Sequence, residues 1–150
     1  TFQHLAGDPA LQARLAAQPE LMPRFAEEGL RMFGVIGTPR LVVQDFDAHG
    51  VSFRSGEMVP CALWQSGRDP AKLDDPDRFD IDRTDMPHYN FSTGPHLCLG
   101  HALARAEMRI LAEEWLKRVP TFRAVPGVRH GFRIGTVIAI ESLPLEWDPA

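Results

Sequence analysis

The stretch "FSTGPHLCLG", Phe91 to Gly100, carries the most reactive side chain of the sequence. Cys98 stands with Gly94 before it, Gly100 after it and His96 two residues upstream. Behind it, "HALARAEMRILAEEWLKR" has a helical pattern, which predicts a helix over Leu99 to Arg118. The first N–H groups of a helix lack partners and the helix dipole is positive there, so a sulfur anion at that place is stabilised. Gly94 permits a tight bend, Gly100 lets something flat approach the backbone, and Phe91 can wall the sulfur from water. These features describe a protected thiolate presented to a large ligand. The same residues also fit a buried structural cysteine beside a glycine turn. A third reading is a zinc site of His96, Cys98 and His101 with His88 nearby, although zinc sites usually show C-x-x-C or H-x-x-x-H pairs and none is present.

The elements that must position this loop are readable in outline. "GDPALQARLAAQP" predicts a short helix, with Asp8 as its cap and Pro9 at its first position. "ELMPRFAEEGLRMFG" predicts a second, with Leu21, Phe25, Leu30 and Phe33 on one side and Gly29 as a weak point inside it. "TPRLVVQDFDAHGVSFRSGE" reads as extended: Leu41 to Val43 form a strand, "DAHG" turns, and Val51 and Phe53 lie on the return strand. "MVPCALWQSG" reads as a buried helical turn, and residues 67–90, rich in Asp and Pro, as a long irregular stretch. In the long helix, Leu99, Leu103, Ala106, Ile110 and Leu111 share the face expected to be buried. The tail gives short strands, the clearest over Thr136 to Ile140.

Composition narrows the class. With 150 residues the chain suffices for one domain with a modest core, and 44% hydrophobic with 24% charged residues is ordinary for a globular protein. A net charge of −4 gives no reason to expect nucleic acid or an anionic membrane as partner, and no apolar run approaches a membrane span. Two cysteines, Cys61 and Cys98, allow one disulfide but nothing in the pattern asks for it; the low count favours a reducing, cytoplasmic setting.

The pattern Phe-x-x-Gly-x-His-x-Cys-x-Gly resembles the haem-binding signature of the cytochrome P-450 haem-thiolate monooxygenases. Other motifs agree in order: Glu28 to Arg31 resembles the family's Glu-x-x-Arg, and "DPDRFDIDR" its Pro-x-Arg-Phe meander. "EEWLKRVPTFRAVPG" and the ending "SLPLEWDPA" look most like the bacterial camphor-hydroxylase branch, so the resemblance spans essentially the whole chain. It implies an α+β, mostly α fold: the C-terminal haem-ligating portion of that family, with J, K and L helices, the meander and small antiparallel sheets, over residues 1–150 as one unit.

The resemblance also implies roles. Cys98 is the proximal ligand of haem b iron, a donor that favours O–O cleavage. His96 and Arg40 match partners of the haem propionates, where the branch often has an Asp in place of Thr38. Phe91, Gly94 and Gly100 shape the cofactor loop. Glu28, Arg31 and Arg78 form a buried structural triad. Val35, Ile36, Thr136 and Val137 look onto a small apolar substrate, with plain core as the alternative. Arg105 and Arg109 lie on a face that would receive an acidic ferredoxin, or are a solvated helix face. The family's distal half, with its acid–alcohol pair, has no counterpart beyond Thr1 to Leu5. The expected activity is therefore that of a parent monooxygenase, the short chain alone being inactive. The competing reading is a truncated haem-binding or protein-interaction module. In either case the missing half or a second copy would cover the open surface.

Overall fold

The computed structural model describes residues 1–148, so the last two residues of the "SLPLEWDPA" motif lie outside the described residues. Four helices carry the architecture: α1 (Phe2–Ala6), α2 (Pro9–Ala17), α3 (Met22–Met32) and α4 (His101–Arg118). Eight short strands form four two-stranded antiparallel ladders beside them, so the fold is α+β and mostly helical, as expected.

Local chemistry explains the helix starts. Asp8 accepts from the Leu11 N–H at 2.9 Å and Pro9 opens α2, where its missing N–H is no loss. α3 begins at Met22 with Pro23 in its first turn. The core lies where α1, α2, α3 and the second half of α4 meet: Leu5, Leu15, Phe25, Ala112, Leu116 and Phe122 are all nearly or fully buried. Gln12 is buried among them without penalty. Its amide donates to the Leu5 and Phe122 carbonyls (2.7 and 2.9 Å) and its oxygen accepts from the Phe122 N–H (3.0 Å).

The sheets depart from expectation at several points: the strand read over Leu41 to Val43 ends at Leu41, and the segment opposite Val51–Phe53 is Phe46–Ala48 instead. β1 (Thr38–Leu41) pairs with β4 (Met58–Cys61), in the register Thr38 opposite Cys61 and Leu41 opposite Met58. The segment read as a helical turn is therefore a strand up to Cys61, and only Leu63–Arg68 forms a 3-10 turn. β2 (Phe46–Ala48) and β3 (Val51–Phe53) make their own hairpin around His49 and Gly50, both at positive φ (49° and 79°), the geometry of a two-residue hairpin turn. Phe46 and Phe53 stack across it at 4.7 Å. β5 (Arg123–Ala124) pairs with β8 (Leu145–Glu146), and β6 (Phe132–Arg133) with β7 (Ala139–Ile140). The strand expected over Thr136 to Ile140 thus reduces to β7, with Val137 in an isolated bridge to Ile36.

α4 also departs from its sequence reading. It starts at His101, two residues later than expected. Leu99 is fully exposed (100%), and Leu103, Ile110 and Leu111 are exposed as well. The covered positions are Ala112 and Leu116, so the apolar face predicted to be core lies open.

Candidate functional site

Cys98 is a free, exposed thiol, and Cys61 is free as well, so no disulfide joins them. The loop that presents Cys98 is closed by its own backbone. Ser92 and Gly94 take positive φ (61° and 58°), Gly94–His96 make a 3-10 turn, and the Cys98 N–H donates to the Phe91 carbonyl at 2.8 Å. The His101 N–H then reaches back to the Cys98 carbonyl at 3.2 Å. The sulfur therefore sits just ahead of the helix mouth, before Gly100, which caps α4. A Cβ at Gly100 would stand 3.9 Å from Cys98 Sγ, so glycine keeps the space beside the sulfur open.

The loop is tied to α3 by Glu27, a residue that the sequence reading did not single out. Glu27, on α3, accepts two hydrogen bonds from the Arg105 guanidinium (2.6 and 2.9 Å) and is 3.1 Å from His88 Nε2. The hydrogen bonds from Arg105, the larger cause, and from His88 hold its carboxyl at about 2, well below the ordinary 4.5. Arg105 also lies over the Phe91 ring, 4.7 Å from its centroid. The His88 side chain is almost fully buried, and its Nδ1 accepts from the Asn90 N–H at 3.2 Å. Asn90 in turn donates its amide to the Leu30 carbonyl at 2.6 Å. Arg105 was expected to face an electron donor; it is engaged inside the site, and Arg109 is paired with Glu113 at 3.2 Å one turn along α4.

Beneath this lies a fully buried ion pair. Arg31 Nε and Nη2 donate to the two oxygens of Glu28 at 2.6 and 2.8 Å. Arg31 also donates to the carbonyls of Gly67, Pro76 (2.8 Å) and Arg78 (3.1 Å). Every donor direction of the guanidinium is used, which is the condition for tolerating a buried charge. The third side chain is not the expected one. Arg78 turns its guanidinium outward, 65% exposed, to Asp80 at 3.3 Å, and contributes only its carbonyl. Arg83, 11% exposed, fills the role: its Nε lies 3.3 Å from Glu28 Oε1 and its Nη2 is 3.0 Å from the Arg78 carbonyl. The Asp80 N–H completes the set on Glu28 at 2.8 Å.

The two apolar stretches expected to face substrate are brought together. Ile36 bridges Val137, the Ile138 N–H donates to the Val35 carbonyl (2.8 Å), and the Gly37 N–H to the Thr136 carbonyl (2.9 Å). Val35 and Val137, with Phe33, Phe132 and Ile140, line an open groove of about 840 Å³; Ile36 and Thr136 do not line it. The zinc alternative is not supported: among the described residues no group of three or more His, Cys, Asp or Glu could hold a metal ion. His88 meets Glu27, and His101 Nδ1 lies 3.1 Å from Arg105.

A free thiol in a closed loop, locked onto a helix that carries a buried Glu-x-x-Arg pair, defines a class, and comparison with known proteins bears on the same point. The family model "Cytochrome P450" matches residues 3–122. The chain belongs to the cytochrome P450 family. It is 37% identical over 147 residues to a probable cytochrome P450 127A1 of Sinorhizobium fredii, covering 96% of this chain and 35% of that protein. It is 41% identical over 144 residues to a mycinamicin IV hydroxylase/epoxidase of Micromonospora griseorubida, covering 93% and 36%. Among solved structures, CYP101J2 superposes with a TM-score of 0.89 at 35% identity, covering 98% of this chain and 37% of that one. P450BioI, crystallised with a fatty-acyl acyl carrier protein, gives a TM-score of 0.85 at 34% identity, covering 96% and 38%. The chain thus spans about a third of the length of these relatives.

The family implies a haem iron, and the residues present fit one. Among the described residues Cys98 is a soft donor left without a partner, beside a glycine that leaves room for a flat ligand. His96 and Arg40 are exposed, and the Arg40 guanidinium bonds only the Pro39 carbonyl (3.0 Å) among the described residues. Two positions before Arg40, and so on the same face of β1, the buried Thr38 hydroxyl has no hydrogen-bond partner among the described residues. An imidazole, a guanidinium and an orphaned hydroxyl are the groups that would receive carboxylates brought by a ligand.

Proposed function

We propose that this chain is the haem-ligating portion of a monooxygenase, Cys98 being the thiolate ligand of a haem b iron. The observation that carries the reading is the Cys98 loop itself: an unpartnered sulfur whose backbone is fixed at both ends, in a chain of this family. When bound, the haem supplies oxygen activation, the thiolate's electron donation favouring cleavage of the O–O bond. The protein's own residues bind and orient. Arg40 and His96 would hold the propionates, with Thr38 standing where the branch often has an acidic residue. Glu28, Arg31 and Arg83 keep the meander fixed under the loop. Val35 and Val137 offer an apolar wall in the groove, which suits insertion of one oxygen atom into a C–H bond of a small apolar molecule. A ferredoxin is the proposed electron donor. Arg105 is engaged with Glu27, so on α4 Arg109 is the better-placed cation for it.

The exposed strip of Leu99, Leu103 and Ile110 favours a covering partner, best supplied by the further length that relatives of this size have. Uncovered, a bound haem would meet water, so the 150-residue chain by itself is expected to bind without efficient turnover. The test is Cys98→Ala against the parent protein, each loaded with haem, reduced and exposed to carbon monoxide. The parent should give the red-shifted absorption band of a thiolate ligand and the variant should lose it. A variant with the parent's spectrum would overturn the assignment.

A further inference from the structure

We infer that Glu27, acting through Arg105 and His88, is a positioning residue that sets the Phe91–Cys98 backbone and with it the quality of the sulfur ligand. The inference rests on the reading of Cys98 as a thiolate ligand, and extends it to residues that touch neither the sulfur nor a cofactor. Glu27 is one residue before the buried Glu28, yet its bonds run the other way, out of the structural triad and into the cysteine loop. Two segments converge on this one carboxylate. Arg105 comes from α4, downstream of Cys98, and His88 from the approach to Phe91, upstream of it.

The geometry transmits along a short path. Arg105 is fixed by two hydrogen bonds to Glu27, and its plane presses on the Phe91 ring at 4.7 Å. Phe91 is the residue whose carbonyl receives the Cys98 N–H. His88 fixes the backbone one step further upstream through Asn90, whose side chain is bonded to the end of α3. Both flanks of the loop are thereby referenced to one point on α3. The clamp is partly covered: the side chains of Glu27 and Arg105 are 29% and 37% exposed and that of His88 4%, so it is sheltered on its His88 side and reached by water at Arg105. If Glu27 loses its charge, Arg105 keeps only its contact with His101 on its own helix, and the ring it lies over gains freedom. The amide donated by Cys98 then wanders, and with it the hydrogen-bonded surroundings that govern how strongly a thiolate donates.

The test uses the haem-loaded, full-length protein. Glu27→Gln and Arg105→Gln should each speed conversion of the reduced, carbon monoxide-bound protein from the thiolate band to the blue-shifted band of lost ligation by about tenfold, and shift the reduction potential in the same direction. The double variant should do no more than either alone, and Arg105→Gln should add nothing in a Phe91→Leu background. Glu107→Gln, an exposed carboxylate on the same helix, serves as the control and should leave both readouts at the parent value. If Glu27→Gln fails to fold, Arg105→Lys, which keeps the charge and loses the paired geometry, should show a smaller shift in the same sense. Parent-like rates and potential in Glu27→Gln or Arg105→Lys, or additive effects in the double variant, would overturn the clamp. Absence of a thiolate band in the parent would overturn the haem-thiolate reading instead.

Discussion

Glu28 and Arg31 illustrate how a charged pair can sit at zero exposure. Their mutual bonds leave three Arg31 N–H groups over, which donate to three carbonyls, while the Asp80 N–H donates to the Glu28 carboxylate. Breaking one partner of such a pair leaves an uncompensated buried charge, so Glu28→Gln should destabilise the protein by about 3–5 kcal/mol. Arg78→Gln removes a side chain that meets only Asp80 in solvent, so it should cost less than about 1 kcal/mol. Arg83→Gln should fall between the two. Urea denaturation of the three variants would rank them, and equal losses for Arg78 and Arg83 would contradict the assignment of Arg83 as the third member. The sequence could nominate an arginine of the meander but not choose between these two. Both lie in an irregular segment, and only the tertiary path of residues 76–83 decides which one turns inward.

At the scale of elements, α3 is the frame on which both networks hang, and its two faces have separate duties. Glu28 and Arg31 look to the meander, and Glu27 and the Leu30 carbonyl to the cysteine loop. The Glu27 carboxyl faces Arg105 and His88, with His101 beyond Arg105. Held at about 2 against an ordinary 4.5, it contributes stability that is fully present above pH 4.5 and is lost as pH falls through 2. The difference in melting temperature between the parent and Glu27→Gln should therefore be largest near neutrality and shrink toward zero over that window; a difference independent of pH would refute the charge-based role. The exit of α3 is equally constrained. A Cβ at Gly34 would fall 2.0 Å from Asn90 Oδ1, so Gly34→Ala should displace Asn90 and cost about 1–3 kcal/mol by thermal melting. The start of α2 was legible because Asp8 and Pro9 act within one turn. The β1–β4 ladder was not, because "MVPC" is short and apolar, and such a run is extended or helical according to what lies opposite it.

For the whole molecule, periodicity identified the apolar face of α4 but not its cover. A pattern reports which residues avoid water, and the partner surface must come from elsewhere. Here Ala112 and Leu116 pack on α2 and α3, whereas Leu103 and Ile110 are 63% and 48% exposed, continuous in sequence with the fully exposed Leu99. Side chains that gain little from burial in this chain can be replaced with little loss of its own stability. Leu103→Gln with Ile110→Gln in the 150-residue chain should leave the melting temperature within about two degrees, since exposed substitutions usually change stability by less than about 0.5 kcal/mol. The same pair should lower self-association of that chain, measured by light scattering, because an open apolar strip is what drives it. In the full-length protein the outcome reverses: there the strip is proposed to be core, and two buried leucine-sized side chains made polar should cost several kcal/mol, about 2–5 for each. A full-length protein as tolerant of the double substitution as the short chain would mean that the strip stays in water, and that the cover proposed for it lies on another face.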